Sequence, residues 1–293
     1  MSLFTGSGVA IVTPFNDNMD VNYDKLKELI EYQIKNKTDA IIICGTTGEA
    51  STLSDEEQLE CIKFAVEQVN GRVPVIAGTG SNDTKHGIHL SKEAEKLGAD
   101  GLLLATPYYN KTSQKGLIEH FTQIAHAVKI PIMLYNVPSR TGLNMLPQTV
   151  LELTKVDNIV AMKEASGDIS QVAELMHYCK GKIDLYSGND DIVVPLLSLG
   201  GKGVVSVAAN VIPKDMHDIV EKYMNNEKEA SLDIQLKRLP LINGLFSDVN
   251  PIPVKEALNM INFEVGKCRS PLTTMVDEDR EALEKILKEQ GLQ

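Results

Sequence analysis

Short apolar runs rich in β-branched residues recur eight times along the chain, at residues 9–13, 40–44, 73–77, 101–105, 130–135, 159–163, 183–186 and 203–207. They lack strict apolar/polar alternation, which is the pattern of strands buried on both faces of a parallel sheet. Between them the apolar positions change to helical spacing. Leu26, Leu29, Ile30 and Ile34 form one stripe, Leu59, Ile62, Val66 and Val69 a second, and Leu117, Phe121, Ile124 and Val128 a third. Start signals agree with the stripes. Ser54 and Glu57 have capping-box spacing, and Pro147 and Pro213 suit first helical positions. The repeat, roughly 20 to 35 residues, is the length of a strand–helix unit. Eight units predict a closed (β/α)8 barrel over residues 1–225. The rival fold, a doubly wound open sheet, would carry a glycine-rich turn after its first strand, where this chain has Thr13-Pro14-Phe15-Asn16. Beyond residue 225 no strand signal remains. Residues 227–235, 253–261 and 278–288 read as helices ending near Gly291, so residues 226–293 are expected to be a helical appendage packed on the barrel.

The sixth run ends in a charge: Ile159-Val160-Ala161-Met162 leads into Lys163. An ammonium closing a buried strand is costly unless it is paired, snorkels to solvent or has a function. Desolvation favours the neutral amine, the form that attacks a carbonyl carbon. In a (β/α)8 barrel the active site collects residues from the carboxyl ends of the strands, and the other strand ends supply matching groups. The second closes on Gly45-Thr46-Thr47-Gly48-Glu49, a turn able to offer N–H groups and hydroxyls to a carboxylate, though a plain turn reads the same way. The fourth closes on Thr106-Pro107-Tyr108-Tyr109-Asn110, whose paired tyrosines usually mean packing or an interface. The fifth gives Tyr135-Asn136-Val137-Pro138-Ser139-Arg140, a phenol able to move a proton near a guanidinium able to clamp a carboxylate. The seventh and eighth end in Tyr186-Ser187-Gly188-Asn189-Asp190 and Val205-Ser206-Val207. Amine, phenol and anion donors on one rim permit class I aldol chemistry on a 2-oxo acid, with no metal or organic cofactor required.

Composition narrows the partners. The 293 residues carry a net charge of −11, with 43% hydrophobic and 24% charged residues and the basic ones spread along the chain. That disfavours nucleic acid and anionic membranes and leaves small substrates held by local donors. The four cysteines, Cys44, Cys61, Cys179 and Cys268, lack metal spacing and suit reduced thiols. The first residues carry no basic leader and no apolar run is long enough to span a bilayer, so a cytoplasmic location is expected. Several motifs read as decoys. Lys255, in Val254-Lys255-Glu256-Ala257, is expected to be a solvated helix residue despite its likeness to the Lys163 segment. His86-Gly87-Ile88-His89 lacks a third metal ligand nearby. Gly200-Gly201-Lys202-Gly203 precedes a strand and lacks the order of a phosphate loop, and Gly78-Thr79-Gly80-Ser81 lacks the rest of a phosphate fingerprint.

With these residues in hand, the chain resembles the dihydrodipicolinate synthase family of pyruvate-dependent class I aldolases over nearly its whole length. Gly45-Thr46-Thr47-Gly48-Glu49 and Lys163-Glu164-Ala165 are shared widely among such aldolases. Tyr135-Asn136-Val137-Pro138-Ser139-Arg140-Thr141-Gly142 is more specific because it carries the arginine. The resemblance implies pyruvate bound as a Schiff base on Lys163, condensing with aspartate semialdehyde on the route to lysine and diaminopimelate. It implies a proton relay of Tyr135, Thr46 and Tyr109, the last reaching in from a neighbouring subunit. It also implies that Thr46 and Thr47 hold the pyruvate carboxylate, Arg140 the semialdehyde carboxylate, and that Gly188 and the Val205 backbone line the pocket. The family is usually a homotetramer of two tight dimers. Positions Ala50, Ser51, Asp55, Gln58, Asn82, His86 and Tyr108 match the second site of lysine-inhibited members, but His86 stands where those have a glutamate. A histidine does not supply that anion at neutral pH, so weak or absent inhibition by lysine is expected. A sister aldolase acting on a sugar acid would share Lys163, Tyr135 and Thr46 without needing Arg140, and a non-catalytic binding barrel would need none of the set.

Overall fold

The computed structural model describes residues 3–293; Met1 and Ser2, the start of the segment read for a leader, lie outside the described residues. Eight parallel strands close on themselves in sequence order: β1 (Gly6–Ala10), β2 (Ala40–Ile43), β3 (Val75–Gly78), β4 (Gly101–Ala105), β5 (Ile132–Asn136), β6 (Ile159–Glu164), β7 (Asp184–Ser187) and β8 (Gly203–Ser206). The helices of the outer layer are α1 (Tyr23–Lys35), α2 (Asp55–Val69), α3 (Thr84–Lys96), α4 (Gln114–Ala127), the short α5 (Pro138–Thr141), α6 (Pro147–Leu153), α7 (Ile169–Cys179), α8 (Val193–Ser198) and α9 (Pro213–Met224). Three more follow: α10 (Lys228–Gly244), α11 (Ile252–Met260) and α12 (Asp277–Glu289). The barrel and its succession of strands are therefore those read from the apolar runs. No helix among the described residues is long and apolar enough to cross a membrane.

The apolar side chains sort into two layers because strand residues alternate between faces. Ala40, Ile42, Ile76, Leu103, Met133, Ala161, Tyr186 and Val205 fill the barrel interior, while Ile41, Ile43, Leu102, Leu104, Leu134 and Met162 pack outward against the helices. Lys163 falls between the outward Met162 and the inward Ala165. It shares its parity with Ala161 and so projects into the barrel.

Element boundaries depart from the apolar runs where side-chain size, not hydrophobicity, sets the pairing. β1 begins at Gly6, three residues before the run, because β1 and β8 approach closely. A Cβ on Gly203 would lie 1.9 Å from the Gly6 carbonyl oxygen, so the strand carries glycines that leave no apolar signal. The stripe assigned to α2 is rotated. Gln58, Cys61, Ile62, Ala65 and Val69 are the buried positions, while Leu59 and Val66 are only half-buried. The small Cys61 and Ala65 let the helix sit close to the barrel. Its capping box is present, with Ser54 Oγ accepting from Glu57 N–H and Glu57 accepting from Ser54 N–H, and Pro147 and Pro213 open α6 and α9. α10 runs on through Pro240 to Gly244, nine residues past its expected end at Gln235.

The expectation for Lys255 is overturned. It is 1% exposed, and its ammonium donates to Glu49 Oε1 (3.0 Å), to the Thr13 carbonyl (3.0 Å) and to the Lys267 carbonyl (2.8 Å). It lies over the Phe15 ring, which Arg269 also covers. Burial lowers the lysine's pKa and the Glu49 charge works against that. Its place just after Pro253, at the start of a helical pattern, reads as solvated, but α11 packs almost entirely inward. The second carboxylate oxygen of Glu49 accepts from Arg269 N–H at 2.8 Å, and the Arg269 guanidinium forms a two-pronged pair with Glu57. One buried network thus ties the chain after α11 to the turn that follows β2.

Candidate active site

The register of the barrel brings the chosen side chains into one row. Tyr135 of β5 pairs with Lys163 of β6, and Lys163 with Tyr186 of β7. Lys163 is 5% exposed, and its ammonium nitrogen lies 4.2 Å from the centre of the Tyr135 ring. No hydrogen bond or ion pair to that nitrogen is present among the described residues, so its lone pair, once deprotonated, is uncommitted. The side chain passes Gly188, where a Cβ would stand 3.0 Å from Lys163 Cε and 2.6 Å from Ala165 Cβ; a larger residue would displace the amine. Val205 closes the same interior layer and is fully buried.

Above this row opens a cavity of about 390 Å3 whose wall includes Gly45, Thr46, Tyr135, Arg140 and Thr141. Thr46 is exposed at its mouth, while Thr47 is buried. The turn carrying them is bounded by left-handed residues, Cys44 (φ 56°) and Glu49 (φ 54°), an arrangement that non-glycine residues hold only when their surroundings fix it. Here the surroundings are the Lys255 and Arg269 bonds to Glu49 and a hydrogen bond from Thr13 Oγ1 to the Gly48 carbonyl (2.7 Å). Arg140, in α5 just after β5, is largely exposed and donates to the Asn250 carbonyl at 3.2 Å. Tyr109 stands apart from this cluster. It is 92% exposed with φ 66°, an aromatic held outward by strained backbone on the rim.

Two carboxyls flank the row without having been singled out. Glu164 points out of the barrel, where it accepts from Ser166 N–H (2.6 Å) and from Asn136 Nδ2 (3.1 Å), and burial raises its pKa. Asp190 accepts from the N–H groups of Val207 and Ala208, tying the end of β7 to the end of β8. Burial raises its pKa while those N–H groups and the nearby Lys163 charge oppose the shift. Sequence reading passed over both because each follows a more conspicuous neighbour. It also missed Asn250, which comes from the chain between α10 and α11 and reaches Thr47; no local pattern marks a side chain that acts across some two hundred residues.

The cavity extends from the rim toward Ala50, Ser51, Asp55, Gln58, His86 and Tyr108. His86 there bonds to Asp55 through Nε2 (2.9 Å) and to Ser81 through Nδ1 (3.0 Å), and His89 is exposed, so the two histidines share no ligand set. Among the described residues one histidine–carboxylate group has metal-like proximity, His217, Asp218 and Glu221. It sits on α9, whose His217 bonds Asp39 at the amino-terminal end of β2, opposite the rim. All four cysteines are buried free thiols.

A model of the dihydrodipicolinate synthetase family matches residues 3–290. The chain belongs to that family. A 4-hydroxy-tetrahydrodipicolinate synthase of Lachnoclostridium phytofermentans is 63% identical over the full length of both chains. Among solved structures of the family, a dihydrodipicolinate synthase that is 46% identical superposes with a TM-score of 0.96 over 99% of this chain and 100% of its own. Another, from Acinetobacter baumannii and crystallised in complex with pyruvate, is 42% identical with a TM-score of 0.97, covering 99% of each chain. The closed barrel of this chain is the fold it shares with those structures.

Proposed function

We propose that this chain is a 4-hydroxy-tetrahydrodipicolinate synthase, a lyase that condenses pyruvate with aspartate 4-semialdehyde in lysine and diaminopimelate biosynthesis. The observation that carries the reading is the Lys163 amine, buried, free of hydrogen bonds and ion pairs among the described residues, and set 4.2 Å from the Tyr135 ring. Its nitrogen attacks C2 of pyruvate, and loss of water gives an iminium that draws electrons from the methyl carbon. Removal of a methyl proton gives an enamine whose carbon attacks the aldehyde. The amino group of the semialdehyde portion then displaces Lys163 from C2 and closes the ring. Tyr135, Thr46 and Tyr109 of a partner subunit move the protons; Thr46 and Thr47 hold the pyruvate carboxylate; Gly188 and the Val205 backbone line the floor. The exposure of Tyr109 supports a role completed by another copy, and the reading includes a cytoplasmic homotetramer built as two tight dimers. Sedimentation of the purified chain as a monomer at assay concentration would remove that assembly.

Arg140 separates this reading from the sugar-acid alternative. Its guanidinium, steadied by the Asn250 carbonyl, is the clamp for the semialdehyde carboxylate. Arg140→Ala is expected to raise the KM for semialdehyde by about tenfold or more, the loss of a charge-assisted bidentate pair, while borohydride still traps pyruvate on the enzyme. Unchanged semialdehyde kinetics in that variant would remove the synthase assignment.

Regulation follows from the far arm of the cavity. His86 bonds the Asp55 carboxylate, the one acid among the described residues lining that arm, so the ammonium of a bound lysine would have to share it. Steady-state rates are expected to be insensitive to sub-millimolar lysine. A half-inhibitory concentration in that range would sink the expectation.

A further inference from the structure

Asn250 makes two bonds to the candidate site, and they differ in kind. Its backbone carbonyl accepts from Arg140 Nη2 at 3.2 Å, whereas its side-chain amide nitrogen donates to Thr47 Oγ1 at 3.0 Å. Asn250 is 6% exposed and Thr47 3% exposed, so neither bond is diluted by bulk water. A threonine hydroxyl has one proton to give and lone pairs to accept with. With Asn250 filling an acceptor position, the hydroxyl proton of Thr47 is directed elsewhere, and no acceptor for it is present among the described residues. The amide's own oxygen is buried without a partner among the described residues. Turning the amide over would orphan its N–H donors instead, and buried orphaned N–H groups are the rarer case.

We infer that Asn250 is a positioning residue that sets the polarity of Thr47, fixing its hydroxyl as a donor toward the carboxylate of the 2-oxo acid. The inference rests on the proposed reading of Thr47 as a pyruvate-binding residue and deepens it. Selectivity for a carboxylate on the first substrate then comes from the residues after the barrel: a hydroxyl locked as donor bonds an anionic acceptor more strongly than a neutral ester or amide carbonyl and offers nothing to an amide N–H. Arg140 is held by the backbone of the same residue, so a side-chain replacement leaves the semialdehyde clamp in place.

The test is two-substrate steady-state kinetics on the full-length enzyme. Asn250→Ala is expected to raise the pyruvate KM by about ten- to a hundredfold, the range for losing the direction of a hydrogen bond to a charged group, with the semialdehyde KM within about twofold of wild type. Thr47→Val alone should raise the pyruvate KM comparably, and adding Asn250→Ala to it should change little, because the asparagine acts through the hydroxyl. Asn250→Asp keeps the size but can only accept, so it takes the Thr47 proton for itself and should be worse than alanine; it also serves if the alanine variant fails to fold. Additive effects of Thr47→Val and Asn250→Ala, equal rises in both KM values, or wild-type behaviour of Asn250→Asp each overturn the inference. Absence of a pyruvate adduct on the wild-type enzyme would instead overturn the proposed function, so the two failures are distinguishable.

Discussion

Lys163→Ala is expected to lose the pyruvate adduct that borohydride should fix on the wild-type enzyme, and with it at least about a thousandfold in kcat, the scale of removing a covalent nucleophile. Peptide mass spectrometry after incubation with pyruvate and borohydride is the measurement. The expectation is specific to this position because the competing lysine of similar sequence context, Lys255, is sealed into Glu49 and two carbonyl oxygens. Lys163 has no such partners among the described residues, and Gly188 leaves it room to move. The fold should tolerate the change, since the strand backbone is held by β5 and β7 on either side. An adduct that survives Lys163→Ala, or that maps to another lysine in the wild type, would return the barrel to the non-catalytic reading.

Stability, not chemistry, is where Lys255 should show itself. Lys255→Met leaves the Glu49 carboxylate buried without its countercharge, keeping the Arg269 N–H and the Cys268 thiol as neighbours. Removing one member of such a pair destabilises a protein by about 3–5 kcal/mol, which denaturant unfolding resolves as a lowered midpoint. The charge-free double variant Lys255→Met/Glu49→Gln is expected to regain most of that loss, because desolvation of a lone anion, not the attraction itself, is the dominant cost. A midpoint for Lys255→Met indistinguishable from wild type would show that water or a rearranged Arg269 reaches Glu49.

Fold and rim were legible for physical reasons. Parallel strands buried on both faces leave runs of branched apolar residues, and the barrel places each run's last residues on a common edge, so reading the end of every run was enough to collect Lys163, Tyr135, Arg140, Thr46 and Thr47. Strand limits were less legible wherever backbone approached backbone, as at Gly6 and Gly203. The α2 stripe was misplaced because small residues, Cys61 and Ala65, face the barrel while Leu59 lies partly in the open. Lys255 and Asn250 were opaque for a different reason. Periodicity reports which face of an element is buried on average, and a lysine or asparagine on that face contradicts the pattern unless its partners, Glu49 and Thr47, are already known. The assignments that rest on a second subunit, Tyr109 above all, draw on resemblance, since one chain displays the exposed phenol but not its destination.

The bonds from Asn250 to Thr47 and from Lys255 to Glu49 have a temporal meaning. A ribosome delivers the eight strands first, and domains begin to organise as they emerge. The turn after β2, proposed above as the carboxylate pocket, nevertheless waits for residues made after all eight strands. A chain that has delivered all eight strands can therefore hold Lys163 in its place while the turn carrying Thr46 and Thr47 still lacks its restraints.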